Sequence, residues 1–297
     1  MQESDNQKFI FLDIDGTIYS KMGVIPEHAK TAIEKAKEKG HKVFVSTGRS
    51  KAGLPKDILA LPLDGYIASG GAYVEAEGEI IFNQYIEPEV LREVYQYLMV
   101  NEIAFTVENN ELIYGTQEQI DIQRSIFEEN INKQKEKYQR SLDNRIYEEA
   151  TKRIDENYNV FIRLLTVVED FHQVERVNKI MFRRSKISKE QMLREIGDFI
   201  NLYPGSLDNL FLGSGEFYQK GINKAIGIQK ILGHYGAEQK DTIAFGDGLN
   251  DLEMLQYVGT GVAMGNAVEE LKQVADFTTK ESYNDGLYYG FEACGII

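Results

Sequence analysis

Apolar runs of strand length alternate with helical stripes at both ends of the chain. Phe9-Ile10-Phe11-Leu12 is uninterrupted by polar residues, the pattern of a strand covered on both faces, as in a parallel sheet. From Ile25-Pro26-Glu27 onward, Ala29, Ala32, Ile33 and Ala36 form one stripe that Gly40 stops, so a helix is expected from His28 to Lys39. Lys42-Val43-Phe44-Val45-Ser46 is the next buried strand, which makes a right-handed strand–helix–strand crossover the default arrangement. Leu63 to Ala72 predicts a third strand running into a turn. Tyr73-Val74-Glu75 and Glu79-Ile80-Ile81-Phe82, parted by Gly78, predict a hairpin. The rhythm returns near the end with Thr242-Ile243-Ala244-Phe245 and a following helix that carries Leu252, Met254 and Leu255.

Between these parts, from about Tyr85, the pattern changes. Pro88 opens a helix through Val90, Leu91, Val94, Tyr95 and Leu98. Ala104–Val107 and Leu112–Tyr114 flank Asn109-Asn110 as in a hairpin. A charged helix is expected from about Glu118 to Arg140 on a thin stripe of Ile122, Ile126 and Ile131. Residues 159–168 fit strand or helix equally, and 141–178 carry no assignment. Lys179–Phe182 reads as a strand, Lys189–Ile200 as a helix, Leu207–Leu212 as a strand, and Gly213–Gly221 as a return linker. The expectation is an α/β fold: a core of mostly parallel sheet from 1–84 and 212–297, with an α/β section inserted at 85–211.

Composition adds constraints. The 297 residues allow a core with a large insertion, and 42% hydrophobic with 27% charged residues is ordinary globular usage. No apolar run approaches the ~20 residues of a membrane span. The polar stretch Met1–Lys8 offers no signal core. The single cysteine, Cys294, rules out an intrachain disulfide and fits a cytoplasmic location. A net charge of −14 argues against nucleic acid as a partner. It also requires local inversion wherever an anionic ligand binds, by a divalent cation or a few Lys and Arg side chains. Lys179, Arg183, Arg184, Lys186 and Lys189 form a basic cluster, expected as a solvated face.

The candidate chemistry lies at the strand ends. In Asp13-Ile14-Asp15-Gly16-Thr17 the two acids are i and i+2, so both can project to one side. Gly16 permits a sharp exit. Paired acids there can hold Mg²⁺, and one can act as nucleophile while the other moves a proton. The plainer alternative is two solvated acids at a strand end. Thr47 and the amides around Gly48 can hold phosphate oxygens, although turns use the same residues. Lys224 opens a helix in Gly221-Ile222-Asn223-Lys224, a place that disfavours a cation unless it meets an anion. Asp251, in Gly246-Asp247-Gly248-Leu249-Asn250-Asp251, could be a plain helix cap.

Asp13–Thr17 resembles the first motif of the haloacid dehalogenase superfamily of phosphohydrolases. Ser46–Arg49 resembles its second motif, Lys224 the lysine of its third, and Gly246–Asp251 the fourth as found in the Cof-type branch. Gly261–Ala267 resembles the segment that follows. Gly70-Gly71-Ala72 departs from the Asn-Gly-Ala common in that branch. The resemblance implies a Rossmann-like core with an α/β cap and a Mg²⁺-dependent phosphatase acting on small phosphorylated metabolites. Asp13 would be the nucleophile, and Asp15 the acid and base. Lys224, Thr47, Gly48 and Asn250 would contact phosphate. Asp13, Asp247 and the Asp15 carbonyl would bind the metal, with Asp251 supporting its water shell or Lys224. A phosphomutase, or a non-catalytic phospho-ligand sensor, fits the same motifs. A dehalogenase has no use for Asp15 or a metal. Substrate and oligomeric state are left open.

Overall fold

The computed structural model describes residues 7–20, 23–141, 144–183, 185–204 and 213–297. The first half of the core contains β1 (Phe9–Leu12), α1 (Glu27–Glu38), β2 (Lys42–Ser46) and α2 (Lys56–Leu59), then β3 (Gly65–Ala68), β4 (Tyr73–Ala76) and β5 (Glu79–Asn83). Next come α3 (Pro88–Val100), β6 (Ala104–Glu108), β7 (Ile113–Gly115), α4 (Gln117–Ser141), α5 (Asn144–Leu164) and β8 (Leu165–Val167). β9 (Lys179–Arg183), α6 (Lys189–Ile196), β10 (Ile200–Pro204) and β11 (Gly215–Gln219) complete the middle section. The chain closes with α7 (Lys224–Tyr235), β12 (Thr242–Gly246), α8 (Leu252–Tyr257) and β13 (Thr260–Ala263). These are followed by α9 (Glu269–Val274), β14 (Phe277–Thr278) and α10 (Gly286–Ala293).

The strands form two sheets. The first runs β14-β13-β12-β1-β2-β3-β4-β5 and is parallel from β14 to β3, with β4 and β5 antiparallel at one edge. Ile10, Phe11 and Leu12 are wholly buried, as their unbroken apolar run requires. Alternate residues serve opposite faces: Ile10 and Leu12 pack with α1 residues Ala32 and Ile33, whereas Phe9 and Phe11 pack with Ile228 and Ile231 of α7. Each such side chain contributes ~1.5–3 kcal/mol, so strands sealed on both faces are the most firmly specified part of the chain. From β1 the chain moves outward through β2 and β3, then returns to β12 on the other side of β1. That reversal puts a crevice beyond the carboxyl ends of β1 and β12, where open α/β sheets hold ligands.

The second sheet runs β10-β11-β9-β6-β7-β8. Its β6, β9 and β11 alternate strictly. Phe105, Val107, Ile180, Phe182 and Phe217 join one core with Val94, Leu98, Met192 and Ile196 from α3 and α6. Residues 159–168, open to either reading, divide between the end of α5 and β8. The helix expected to Ile200 ends at Ile196, because Gly197 caps it and Ile200 starts the alternation of β10. The return linker expected at 213–221 is instead mostly β11, paired with both β10 and β9. Its Gly and Ser content imitates a loop, but Phe217 fills the core. The expected strand Leu207–Leu212 lies outside the described residues, as does Arg184.

The two sheets touch. The Asn110 carbonyl accepts from the Ala52 amide at 3.1 Å, and Asn178 Nδ2 donates to the Gln84 carbonyl at 2.7 Å. Tyr203 of β10 donates to Glu253 Oε1 at 2.8 Å. Among the described residues no helix is long and apolar enough to cross a membrane.

Candidate active site

β1 ends at Leu12, and the chain delivers Asp13 directly over the crevice, with the Asp13 amide donating to the Phe245 carbonyl at 3.0 Å. Gly16 turns the chain at φ +97°. A Cβ there would lie 2.1 Å from Asp247 Oδ2, so only glycine lets the two strand ends approach. Lys224 opens α7 and is 1% exposed. Its ammonium donates to Asp13 Oδ1 at 2.7 Å and Asp251 Oδ1 at 2.5 Å. The electrostatic cost of a cation at a helix start is thus offset by two carboxylates. Lys220, four residues earlier, donates to the Gly197 carbonyl and takes no part.

Asp251 does more than cap a helix. Its Oδ2 accepts from the Asp247 and Gly248 amides, each at 3.0 Å, which locks the turn that presents Asp247. Carboxylate oxygens of Asp13, Asp247 and Asp251 all lie within 4.8 Å of one another. Burial pushes the Asp13 carboxyl up to about 7; Lys224 opposes the shift, and Asp251 and Asp15 add to it. Asp247 rises to about 9 through burial and then the charges of Asp13 and Asp251. For Lys224, burial works against the charge, but Asp13 and Asp251 outweigh it and the pKa stands above the usual range.

Thr47 is buried at the end of β2, and its Oγ1 accepts from the Arg49 amide at 3.2 Å. Asp13, Asp15, Thr47, Gly48, Asp247 and Asn250 surround one small cavity of about 10 Å³, closed over by Pro204 of the second sheet. Two roomier clefts, about 420 and 620 Å³, contain none of these residues, so size is a poor guide to the site.

Three participants carried no sequence expectation. Arg49 grips Asp15 with two bonds, Nε to Oδ2 at 2.9 Å and Nη2 to Oδ1 at 2.8 Å. Asn266 Nδ2 donates to the Gly16 carbonyl at 2.9 Å and Asp247 Oδ2 at 3.1 Å. Pro204 comes from β10, of which only Ile200 carried an expectation, as the end of a helix. The strand–turn pattern flagged the segment of Arg49, and the family resemblance flagged Gly261–Ala267, but neither gave the roles of those side chains. At Gly70 (φ +62°) the space of the missing polar side chain belongs to Tyr218, whose ring would lie 2.7 Å from an added Cβ. The basic cluster also divides: Lys179 is buried beside Glu108 and Glu216, not solvated.

Fold and site together are those of an α/β phosphatase. A family model described as haloacid dehalogenase-like hydrolase matches residues 10–291, and the chain belongs to that family. It is 31% identical over 295 residues to the putative phosphatase YkrA of Bacillus subtilis, covering 98% of this chain and 99% of that one. It is 27% identical over 285 residues to the 5-amino-6-(5-phospho-D-ribitylamino)uracil phosphatase YitU of the same organism, covering 94% of each. Among solved structures it is similar to the HAD subclass IIB sugar phosphatase BT4131, with TM-score 0.77 and 25% identity, over 98% of this chain and all of that one.

Proposed function

We propose that the protein is a Mg²⁺-dependent phosphatase of small phosphorylated metabolites, such as sugar phosphates, that works through an aspartyl phosphate on Asp13. The observation that carries this reading is the Lys224 ammonium binding Asp13 by one oxygen, Oδ1, with Asp15 two residues on. Oδ2 of Asp13 is then available to attack phosphorus in line. Asp15, once it leaves Arg49 and takes up a proton from solvent, gives that proton to the departing alkoxide as the phosphorus–oxygen bond breaks. Water next attacks the phosphoryl group on Asp13, Asp15 takes its proton, and inorganic phosphate leaves. Lys224, the Thr47 hydroxyl, the Gly48 amide and Asn250 would hold the phosphoryl oxygens, by ~3–4 kcal/mol per donor at most.

The residues fit a divalent cation. Among the described residues, the cations that face Asp13, Asp15, Asp247 and Asp251 are Lys224 and Arg49, which leaves an excess of two carboxylates, and burial with the neighbouring acids is what raises Asp13 and Asp247. An all-oxygen donor set suits Mg²⁺. Asp13, Asp247 and the Asp15 carbonyl would hold it, and bound Mg²⁺ would supply positive charge that keeps Asp13 ionised and screens the substrate phosphate.

The unit built on the second sheet, from about Tyr85 through Gln219, is proposed as the cap that selects the leaving group. A cavity of about 10 Å³ admits no metabolite, so this unit would swing away for entry. The ribityl phosphate in the name of YitU and the sugar phosphates of BT4131 support a polyol-like leaving group. A cytoplasmic location belongs to the same proposal and rests on the single cysteine.

The test is phosphate release from a panel of phosphorylated metabolites with and without Mg²⁺. Asp13→Asn should lower kcat by at least ~10³-fold while the protein stays folded. A folded, Mg²⁺-loaded wild type with no turnover on any ester would favour the mutase or sensor instead.

A further inference from the structure

The contact between the sheets contains a buried charge cluster that hydrophobic packing does not require. In the second sheet, Lys179 of β9 lies opposite Glu108 of β6 and Tyr218 of β11. Its ammonium is 3.3 Å from Glu108 Oε2 and 3.2 Å from Glu216 Oε1, and Glu216 also accepts from the Tyr218 hydroxyl. Lys179, Glu108 and Glu216 are each 3% exposed. Apolar residues of similar size often stabilise a fold as well as such a buried cluster, so stability alone gives no reason for it.

What distinguishes the cluster is a bond that leaves its sheet. Lys179 Nζ donates to the Gly48 carbonyl in the first sheet at 3.0 Å. That carbonyl belongs to the same planar peptide as the Arg49 N–H, and the Arg49 N–H donates to Thr47 Oγ1. A hydroxyl that accepts such a bond must aim its own proton elsewhere, and the cavity bounded by Asp13 and Asn250 is the space beside it. The side chain carried by this peptide, Arg49, holds Asp15. One peptide thus connects the second sheet to the phosphate-facing hydroxyl and to the proton-moving acid.

We propose that Lys179 is a positioning residue for the phosphatase reaction: by holding the Gly48 carbonyl it fixes the Gly48–Arg49 peptide, and with it the Thr47 hydroxyl, only while the two sheets are in contact. Catalytic geometry is thereby tied to closure, and bound substrate meets a complete phosphate site only after water has been shut out. The proposal rests on the reading of Thr47 as a phosphate ligand.

The experiment is a double-mutant cycle with p-nitrophenyl phosphate and Mg²⁺, pairing Thr47→Ala with Lys179→Met. The lysine change is made together with Glu108→Gln and Glu216→Gln, so that no buried charge is left over. The lysine variant should lose roughly 10–100-fold in kcat, with KM moving less than about threefold. In the Thr47→Ala background the same change should cost almost nothing further. An unchanged kcat, or losses that multiply, would overturn the proposal. A Thr47→Ala enzyme with full activity would overturn it too, while leaving an Asp13-dependent phosphatase intact. Should the lysine variant fail to fold, Lys179→Arg keeps the charge balance and takes its place. Its larger head group displaces the Gly48 carbonyl, so kcat must fall, and the fall must vanish without the Thr47 hydroxyl; an Arg variant with intact kcat would sink the idea.

Discussion

The two sheets obey opposite rules. In the first, β1, β2 and β12 are apolar along their length, and helices cover both faces. Beyond the opening Lys42 of β2 and Thr242 of β12, the site residues Asp13, Thr47 and Asp247 each follow directly where one of these strands stops. In the second, β6, β9 and β11 alternate, with one face packed on α3 and α6. On the other face Glu108, Lys179, Glu216 and Tyr218 approach the Gly48 segment. The first sheet keeps its polar chemistry at its ends; the second spreads it over a face. A solvated face and a face buried by a neighbour share one sequence pattern, which is why Lys179 reads as solvated and is not.

The contrast can be broken most severely at Phe217, which is fully buried and stacked on Phe182 with ring centroids 4.7 Å apart. Phe217→Ala should destabilise the second core by ~3–5 kcal/mol. If the two regions open separately, amide exchange will lose protection in β6, β9 and β11 and keep it in β1 and β12. Equal loss in both sheets would mean one cooperative unit.

A smaller effect is expected at the contact itself. Gly70→Asn restores the residue common in the branch but forces a side chain into Tyr218 at positive φ. It should cost ~1–3 kcal/mol by overpacking, and part of the cost should disappear when Tyr218→Ala makes room. Additive costs in thermal melts of the two single variants and the pair would show that the ring does not set the choice of glycine.

The smallest effect lies at the start of the first sheet. His41 Nδ1 accepts from the Lys8 amide at 3.1 Å, and burial holds its pKa below the ordinary 6.5. A base lowered in the folded state binds fewer protons there than in the unfolded chain. Its contribution is therefore full above 6.5 and is lost as pH falls through 6.5 toward the folded value. Melting temperatures at pH 7.5 and 5.5 should converge in His41→Gln relative to wild type. An unchanged gap would place the acid sensitivity elsewhere.

The sequence by itself determined the strands that are buried on both faces, because an unbroken apolar run has few other uses in a globular chain. It also determined which residues end those strands: Asp13, Asp15, Thr47 and Asp247 are legible because the run stops at them, and Lys224 because a cation is out of place at a helix start. Tertiary structure chose Lys224 for Asp251 from the two partners the resemblance left open, and it alone decided that Asp251 also takes the Asp247 amide, that Arg49 holds Asp15, and that Asn266 reaches Gly16. It also decided that residues 213–221 are largely strand and that Lys179 is buried. The physical reason is range. Periodicity reports what each residue's own element buries, whereas a polar side chain's partner is chosen by elements that arrive from 34 residues away, as for Arg49 and Asp15, or 211, as for Lys224 and Asp13.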